Sequence, residues 1–348
     1  MSHNILITGA SGYLGGSLLA DLHKANLPPY GKLYALVRTE EQCNAVKELY
    51  GAEPIEIDLT NEISTIQAIV GREITIIYYL IDALNSDTQR TMIRALGEVK
   101  RKTAQDVHFL HTSGAKLFSS HAGHPTDRPL LDTNPELYEI QQGAKAFHPL
   151  IRKAIDTNTA VIDTAMAYGV RSYIFVPCVV YGEGEGFGNR ISIQTTAIVR
   201  AAQQVRRLHS VDRGHAAWPV SHISDNTALY IDLLRGILSE KYPGSGKNGY
   251  YLAASGSVTW NNIYSAIAKA LAKRNVVDDE TVSLANDEAL EEMGKALGCP
   301  KEFVPVELGG HCTFVAENGR STGWKPCYPP EHILDAADAE VELILQHI

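Results

Sequence analysis

Short apolar runs rich in β-branched residues alternate with longer stretches of helical periodicity through the first half of the chain. The runs are Asn4–Thr8, Lys32–Val37, Pro54–Ile57, Thr75–Ile81, Val107–His111 and Ser172–Val180. Strands of this kind separated by helices imply parallel βαβ units, covered on both faces because each crossover lays a helix on the sheet. The pattern therefore predicts an α/β fold with a doubly wound, mostly parallel sheet.

The texture changes after Tyr181, where the glycine-rich stretch GEGEGFG (182–188) gives way to a helical pattern running to Arg207. Two lobes are expected: residues 1–185 as a nucleotide-binding domain and 186–348 as a smaller, interleaved substrate lobe. The stretch Ser221–Leu238 reads as a strand end entering an amphipathic helix, so residues from about 218 to 240 are expected to return to the first domain. Pro243–Asn248 reads as a turn, Val258–Lys273 as a capped helix and His332–Gln346 as a final helix. No internal repeat is visible.

Composition narrows the class. A chain of 348 residues that is 45% hydrophobic and 20% charged can bury a large core and carries no biased tract. The net charge of -9 lacks the basic footprint of a nucleic-acid binder, so none is expected as a partner. Cys43, Cys178, Cys299, Cys312 and Cys327 are odd in number and show no Cys-x-x-Cys spacing, which suggests free thiols, a reducing compartment and no metal. No run of 18 apolar residues exists and the first strand begins almost at once, so a cytoplasmic protein without membrane attachment is expected.

The most specific chemistry lies at the first strand-to-helix turn, ILITGASGYLGGSLLADL. Gly9 permits a tight turn, Gly12 lets backbone approach a diphosphate, and Gly15 allows close packing of helix on strand. The helix N-terminus offers free N–H groups and a positive dipole end to that anion. This is the arrangement of a dinucleotide site. Arg38 ends the second strand where an NAD-specific protein usually places a carboxylate for the ribose 2′-hydroxyl, and an arginine there can pair with a 2′-phosphate. NADP(H) is therefore expected over NAD(H). Asp58 ends the third strand and can accept from an adenine amino group or cap the next helix.

Taken in order, TGASGYLG, Asp58 with Leu59, YYLIDA, FLHTSG, FVPCVVYG, HISD and GWKP resemble the extended short-chain dehydrogenase/reductase superfamily over nearly the whole chain. More narrowly, they are similar to atypical fungal proteins labelled NAD-dependent epimerase/dehydratase. The resemblance implies a Rossmann fold. It also implies cofactor contacts from Thr8, Ser11, Tyr13 and Leu14 in the turn, Leu80 and Ile81 after the fourth strand, Thr112 after the fifth, and Pro177, Val179 and Val180 beside the nicotinamide. Proteins of this kind often pair through the helices after the fourth and fifth strands, so a homodimer is expected.

The catalytic pattern departs from that resemblance. Typical members use a tyrosine as general acid, a lysine four residues later and a serine or threonine after the fifth strand, but no Tyr-x-x-x-Lys exists here. Counting back from VPCVVYG puts His148 near the tyrosine position and Arg152 near the lysine position, with Gly114 at the serine position and Ser113 just before it. An imidazolium is a competent acid, although an adjacent arginine would depress its pKa, and His148 reads equally as the start of a helix before Pro149. Tyr181 is a further candidate. Arg190, Arg200, Arg206 and Arg207 can serve a diphosphate-bearing substrate or form a solvated helix face, while Phe187, His215 and Trp218 fit an aromatic or aliphatic carbonyl compound. The expected activity is NADPH-dependent reduction of a small carbonyl. The alternatives are a cofactor-binding regulator that has lost its catalytic residues and an epimerase or lyase that uses bound cofactor transiently.

Overall fold

In the computed structural model, which describes residues 2–348, seven strands form one parallel sheet. The first five are β1 (Asn4–Ile7), β2 (Leu33–Leu36), β3 (Glu53–Ile55), β4 (Ile74–Tyr79) and β5 (His108–Thr112). β6 (Arg171–Pro177) follows, then β7 (Val179–Tyr181) and β8 (Ala217–His222) outside this sheet, and β9 (Tyr250–Ala253) within it. Across the sheet the order is β3, β2, β1, β4, β5, β6, β9. Every residue of β4, ITIIYY, is buried, as expected for a central strand with helices on both faces.

The crossovers are made by α1 (Tyr13–Leu22), α2 (Glu40–Tyr50), α3 (Glu62–Gly71), α4 (Asp87–Thr103) and α5 (Pro149–Tyr168). Their ends follow local chemistry. Thr39 caps α2 by accepting from the Gln42 amide, and His148 caps α5 with Pro149 at its first position. The second half adds α6 (Gln194–Val205), α7 (Ile223–Leu238), α8 (Trp260–Lys273), the short α9 (Val304–Leu308) and α10 (Ala337–Leu345).

Three details differ from the sequence expectation, and in the first of them the expected final helix His332–Gln346 is interrupted at Ala336 into a short helix, His332–Asp335, and α10. Ser172–Val180 is two strands rather than one: β6 ends at Pro177, and after Cys178 the chain leaves the main sheet so that β7 can pair with β8. Proline offers no ladder donor, which suits a strand end. The short run Tyr250–Ala253 adds a seventh strand alongside β6, and nothing in its sequence marked it as one. β8 also pairs antiparallel with β10 (Gly256–Thr259), giving a small three-stranded sheet.

α7 belongs spatially to the first half of the chain. It packs on α1, its Tyr230 hydroxyl meets Thr112 Oγ1 at 2.8 Å, and the Tyr78 hydroxyl donates to the Tyr230 carbonyl at 3.0 Å. The HISD and GWKP motifs are explained by one clasp. The buried Asp225 carboxylate accepts from the Cys327 and Tyr328 amides, and the Trp324 indole donates to the Asp225 carbonyl. Among the described residues no helix is long and apolar enough to cross a membrane, and no cluster of His, Cys, Asp or Glu could hold a metal ion.

Asp132 is a second buried carboxylate, accepting from the amides of Leu252, Glu317 and Asn318. Burial outweighs those three bonds and pushes its carboxyl up to about 6. A raised carboxyl pKa favours the folded state below the unfolded value and loses that advantage as pH climbs through the folded one. Between pH 7 and pH 4 the stability of the wild type relative to Asp132→Asn should therefore rise by about 2 kcal/mol. Denaturant melts of both proteins at several pH values check this; a difference independent of pH would refute it.

Candidate active site

The glycine turn is built as a cradle. Gly9 adopts φ 69° with the Leu80 carbonyl 3.1 Å from where its Cβ would be, and a Cβ on Gly15 would lie 2.3 Å from the Gly9 carbonyl oxygen. Thr8 Oγ1 accepts from the Leu80 amide at 2.8 Å, which locks the turn to the end of β4. Gly12 caps α1 without a side-chain hydrogen bond, so no side chain occupies the helix's N-terminal position. These features fit a dinucleotide diphosphate on the α1 N-terminus. Ser11 and Leu14 are half-buried there, whereas Tyr13 is buried and its hydroxyl donates to the Gly182 carbonyl at 2.7 Å.

The GEGEGFG stretch lies directly on this turn. A Cβ on Gly184 would reach within 2.5 Å of the Tyr13 ring, one on Gly186 within 2.4 Å of the Gly12 carbonyl oxygen, and one on Gly188 within 2.8 Å of the Ser11 carbonyl oxygen. Its alternate glycines are thus the points where backbone meets backbone or ring. Hydrogen bonds hold the strap in place: Glu185 donates its amide to Ser17 Oγ, Tyr50 donates its hydroxyl to the Glu185 carbonyl, and Gly188 donates to the Ser11 carbonyl. Its two ends are fixed by Glu340 on α10, a buried carboxylate that accepts from the Gly182 amide and the hydroxyls of Ser192 and Thr195.

Just beyond β2, Arg38 is exposed, and its guanidinium has no ion pair or hydrogen bond among the described residues. Its amide donates to Gln42 Oε1. Asp58 is exposed and accepts from the Thr60 hydroxyl and amide, the first of which does most to hold its carboxyl below the usual range. Leu59 is half-buried against the core. Leu80 is half-buried and Ile81 exposed at the end of β4.

A cavity of about 390 Å³ opens beside the turn. Tyr13, Leu14, Ser113, Pro177 and Val180 line it together with Ile193, Trp218 and Phe303 from the second half. The Ser113 hydroxyl is buried and has no hydrogen-bond partner. Val179 and Thr112 do not line the cavity; Val179 is buried in β7, and Thr112 Oγ1 is engaged with Tyr230.

His148 and Arg152 do not line it either. His148 Nδ1 accepts from the Leu150 amide and its ring sits 4.5 Å from that of Phe303, while Arg152 pairs with Asp156 and donates to the carbonyls of Gln142 and Ala144. Both tie down the start of α5. The α5 side chains that reach the cavity are Leu150, Ile151 and Ala154, so that wall is alkyl. Tyr181 is fully buried, points its hydroxyl at His332 Nδ1 3.0 Å away and has its pKa raised by burial. Arg190, Arg206 and Arg207 pair with Glu183, Asp278 and Asp279, and none of them lines the cavity.

Sequence reading missed Lys116 and Glu307, the two charged residues in the lining, whose side chains meet at 2.7 Å. Lys116 follows HTSG by two residues and was findable from that position. Glu307 comes from 191 residues away and left no local signal.

The parallel sheet, the glycine cradle and a cavity at the strand ends define a dinucleotide-binding α/β enzyme. The model of the NAD dependent epimerase/dehydratase family matches residues 5–240, and the chain belongs to that family. It is similar to Oxidase ucsJ of Acremonium sp., with 21% identity covering 95% of this chain and 94% of that protein. Its fold is shared with the dTDP-glucose 4,6-dehydratase of Bacillus anthracis, solved in complex with NAD, at 13% identity and TM-score 0.65 over 99% of this chain and 97% of that one. The UDP-glucose 4-epimerase of Thermotoga maritima, solved with UDP-glucose, gives 15% identity and TM-score 0.63 over 99% of each chain. The family is one of nicotinamide-dependent enzymes.

Proposed function

We propose that this protein is an NADPH-dependent oxidoreductase that reduces a small, largely apolar aldehyde or ketone. The observation that carries the reading is the cavity, which joins the glycine cradle and the Ser113 hydroxyl to a wall of Trp218, Phe303, Ile193 and alkyl side chains. Such a lining suits an aliphatic or aromatic body. A diphosphate-bearing substrate would need unpaired cations there; Lys116 in the lining is paired with Glu307, and Arg190, Arg206 and Arg207 are paired elsewhere. Thr8 to Gly15 would hold the diphosphate, Pro177 and Val180 would face the nicotinamide, and the unpaired Arg38 would take the 2′-phosphate. Bound NADPH supplies a hydride. Ser113, buried and unpartnered, would orient the carbonyl oxygen.

Incubation with NADPH and a panel of aliphatic and aromatic aldehydes and ketones should consume the cofactor with at least one of them. Arg38→Ala should raise KM for NADPH about tenfold, the loss of one charge-assisted contact, and leave KM for NADH unchanged. Tight NADPH binding without turnover of any carbonyl would overturn the reading, and equal loss with both cofactors would remove the assignment of Arg38. The alkyl face of α5 favours a second reading, a sensor that discriminates NADP from NADPH; equal affinity for the two would exclude it.

A further inference from the structure

Besides Ser113, four side chains in the cavity lining can exchange a proton: Tyr13, Lys116, Cys178 and Glu307. Two are engaged by backbone. The Tyr13 hydroxyl donates to the Gly182 carbonyl at 2.7 Å and the Cys178 thiol to the Ala253 carbonyl at 3.1 Å, and burial pushes both pKa values up. Glu307 accepts from Lys116. That leaves the Lys116 ammonium as the acid with donors to spare, since only one of its three N–H bonds is committed, to Glu307 Oε2 at 2.7 Å.

Place and charge both fit a carbonyl oxygen. Lys116 stands on the turn Ala115–Phe118 immediately beyond β5, three residues after Ser113, and every residue from Ser113 to Leu117 lines the cavity. The ammonium and the carboxylate are each about three-quarters buried, with 26% and 28% of the side chain exposed, so solvent does not take their place. As a pair they are neutral. An anionic ligand would have to displace Glu307, whereas a neutral carbonyl oxygen needs only a second N–H.

We propose that Lys116 receives the substrate's carbonyl oxygen and protonates it, with Glu307 positioning the ammonium. The inference rests on the reductase reading. As hydride from NADPH adds to the carbonyl carbon, the C=O π pair moves onto oxygen, an N–H bond of Lys116 breaks and an O–H bond forms. The products are the alcohol, NADP⁺ and a neutral amine that regains its proton from water at the cavity mouth. An alkoxide is far more basic than an amine, so the transfer runs downhill even beside a carboxylate. This replaces the phenol that the chain lacks, and it selects aldehydes and ketones without an acid group.

The test compares the wild type with Lys116→Met and Lys116→Arg on the best carbonyl from the panel, together with binding of octanamide, a carbonyl ligand that hydride does not reduce, followed by tryptophan fluorescence because Trp218 lines the cavity. Lys116→Met should lose on the order of a hundredfold or more in kcat, the contribution of a positioned general acid, and bind octanamide about tenfold more weakly. Lys116→Arg should restore octanamide binding but not kcat, because a guanidinium donates hydrogen bonds without giving up its proton. NADPH affinity should be unchanged in both. A kcat within threefold of wild type in Lys116→Met, or full kcat in Lys116→Arg, overturns proton donation. Equal octanamide affinity in all three proteins overturns the contact. A wild type that binds NADPH and octanamide but reduces no carbonyl overturns the reductase reading, and proton donation with it, while the octanamide comparison still decides the contact.

Discussion

Gly15→Ala should cost the protein about 3 kcal/mol of stability and abolish measurable dinucleotide binding. The added methyl would sit 2.3 Å from the Gly9 carbonyl oxygen, 2.8 Å from its carbon and 3.2 Å from the Thr8 oxygen, all of them backbone atoms. No rotamer change relieves such a contact, so the turn itself must open. Gly9 has little room to retreat, because the Leu80 carbonyl oxygen lies 3.1 Å from where its Cβ would be and Thr8 is bonded to the Leu80 amide. Gly71 at the end of α3 serves as the control: it has open space around its Cβ position and no positive φ, so alanine there should be neutral or slightly stabilising. Thermal melts and NADPH titration of both variants check the expectation, and wild-type behaviour of Gly15→Ala would disprove the cradle.

Glu340→Leu should cost a similar amount, about 3 kcal/mol, because it strips a charged acceptor from a half-buried amide and two buried hydroxyls at once. Glu340→Gln should cost nearer 1 kcal/mol, since the Ser192 and Thr195 hydroxyls can turn to donate or accept as the amide requires. The readout that separates a local role from general destabilisation is amide hydrogen exchange. In Glu340→Leu, protection should fall first between residues 182 and 195, where the strap is anchored, while β4 and β5 keep theirs. Uniform loss across the chain would mean that Glu340 supports the core and not the strap.

The sheet was legible because burial on both faces writes itself as continuous apolar runs, and β1 to β5 fall within a residue or two of their expected ends. The glycine turn was legible for a different reason: three backbone approaches at fixed spacing leave no residue but glycine. Long-range partners left no such trace. Tyr250–Ala253 is a strand only because β6 offers it an edge, whereas the amphipathic pattern from Ser221 to Leu238 did point to the return of α7, though not to its partners, such as Thr112 for Tyr230. At the site, counting along α5 reached His148 and Arg152, but the helix turns Leu150, Ile151 and Ala154 toward the cavity. A shift of two residues on a helix rotates a side chain by more than half a turn, so motif spacing without a matched residue cannot fix which face is presented. GEGEGFG was visible as a loop, but its role depended on what it rests against.

That strap joins the beginning of the chain to its end. It rests on Ser11, Gly12 and Tyr13 and is anchored by Glu340, which comes from the last helix. Anything that steadies the turn, a bound dinucleotide above all, therefore also favours the docked position of α10, by the same mass-action linkage through which a ligand stabilises whatever it binds. Conversely, each fraying of the C-terminal helix lowers the share of molecules with an intact cradle. The affinity of the protein for its cofactor is in this sense partly written in its last dozen residues, far from any atom the cofactor would touch.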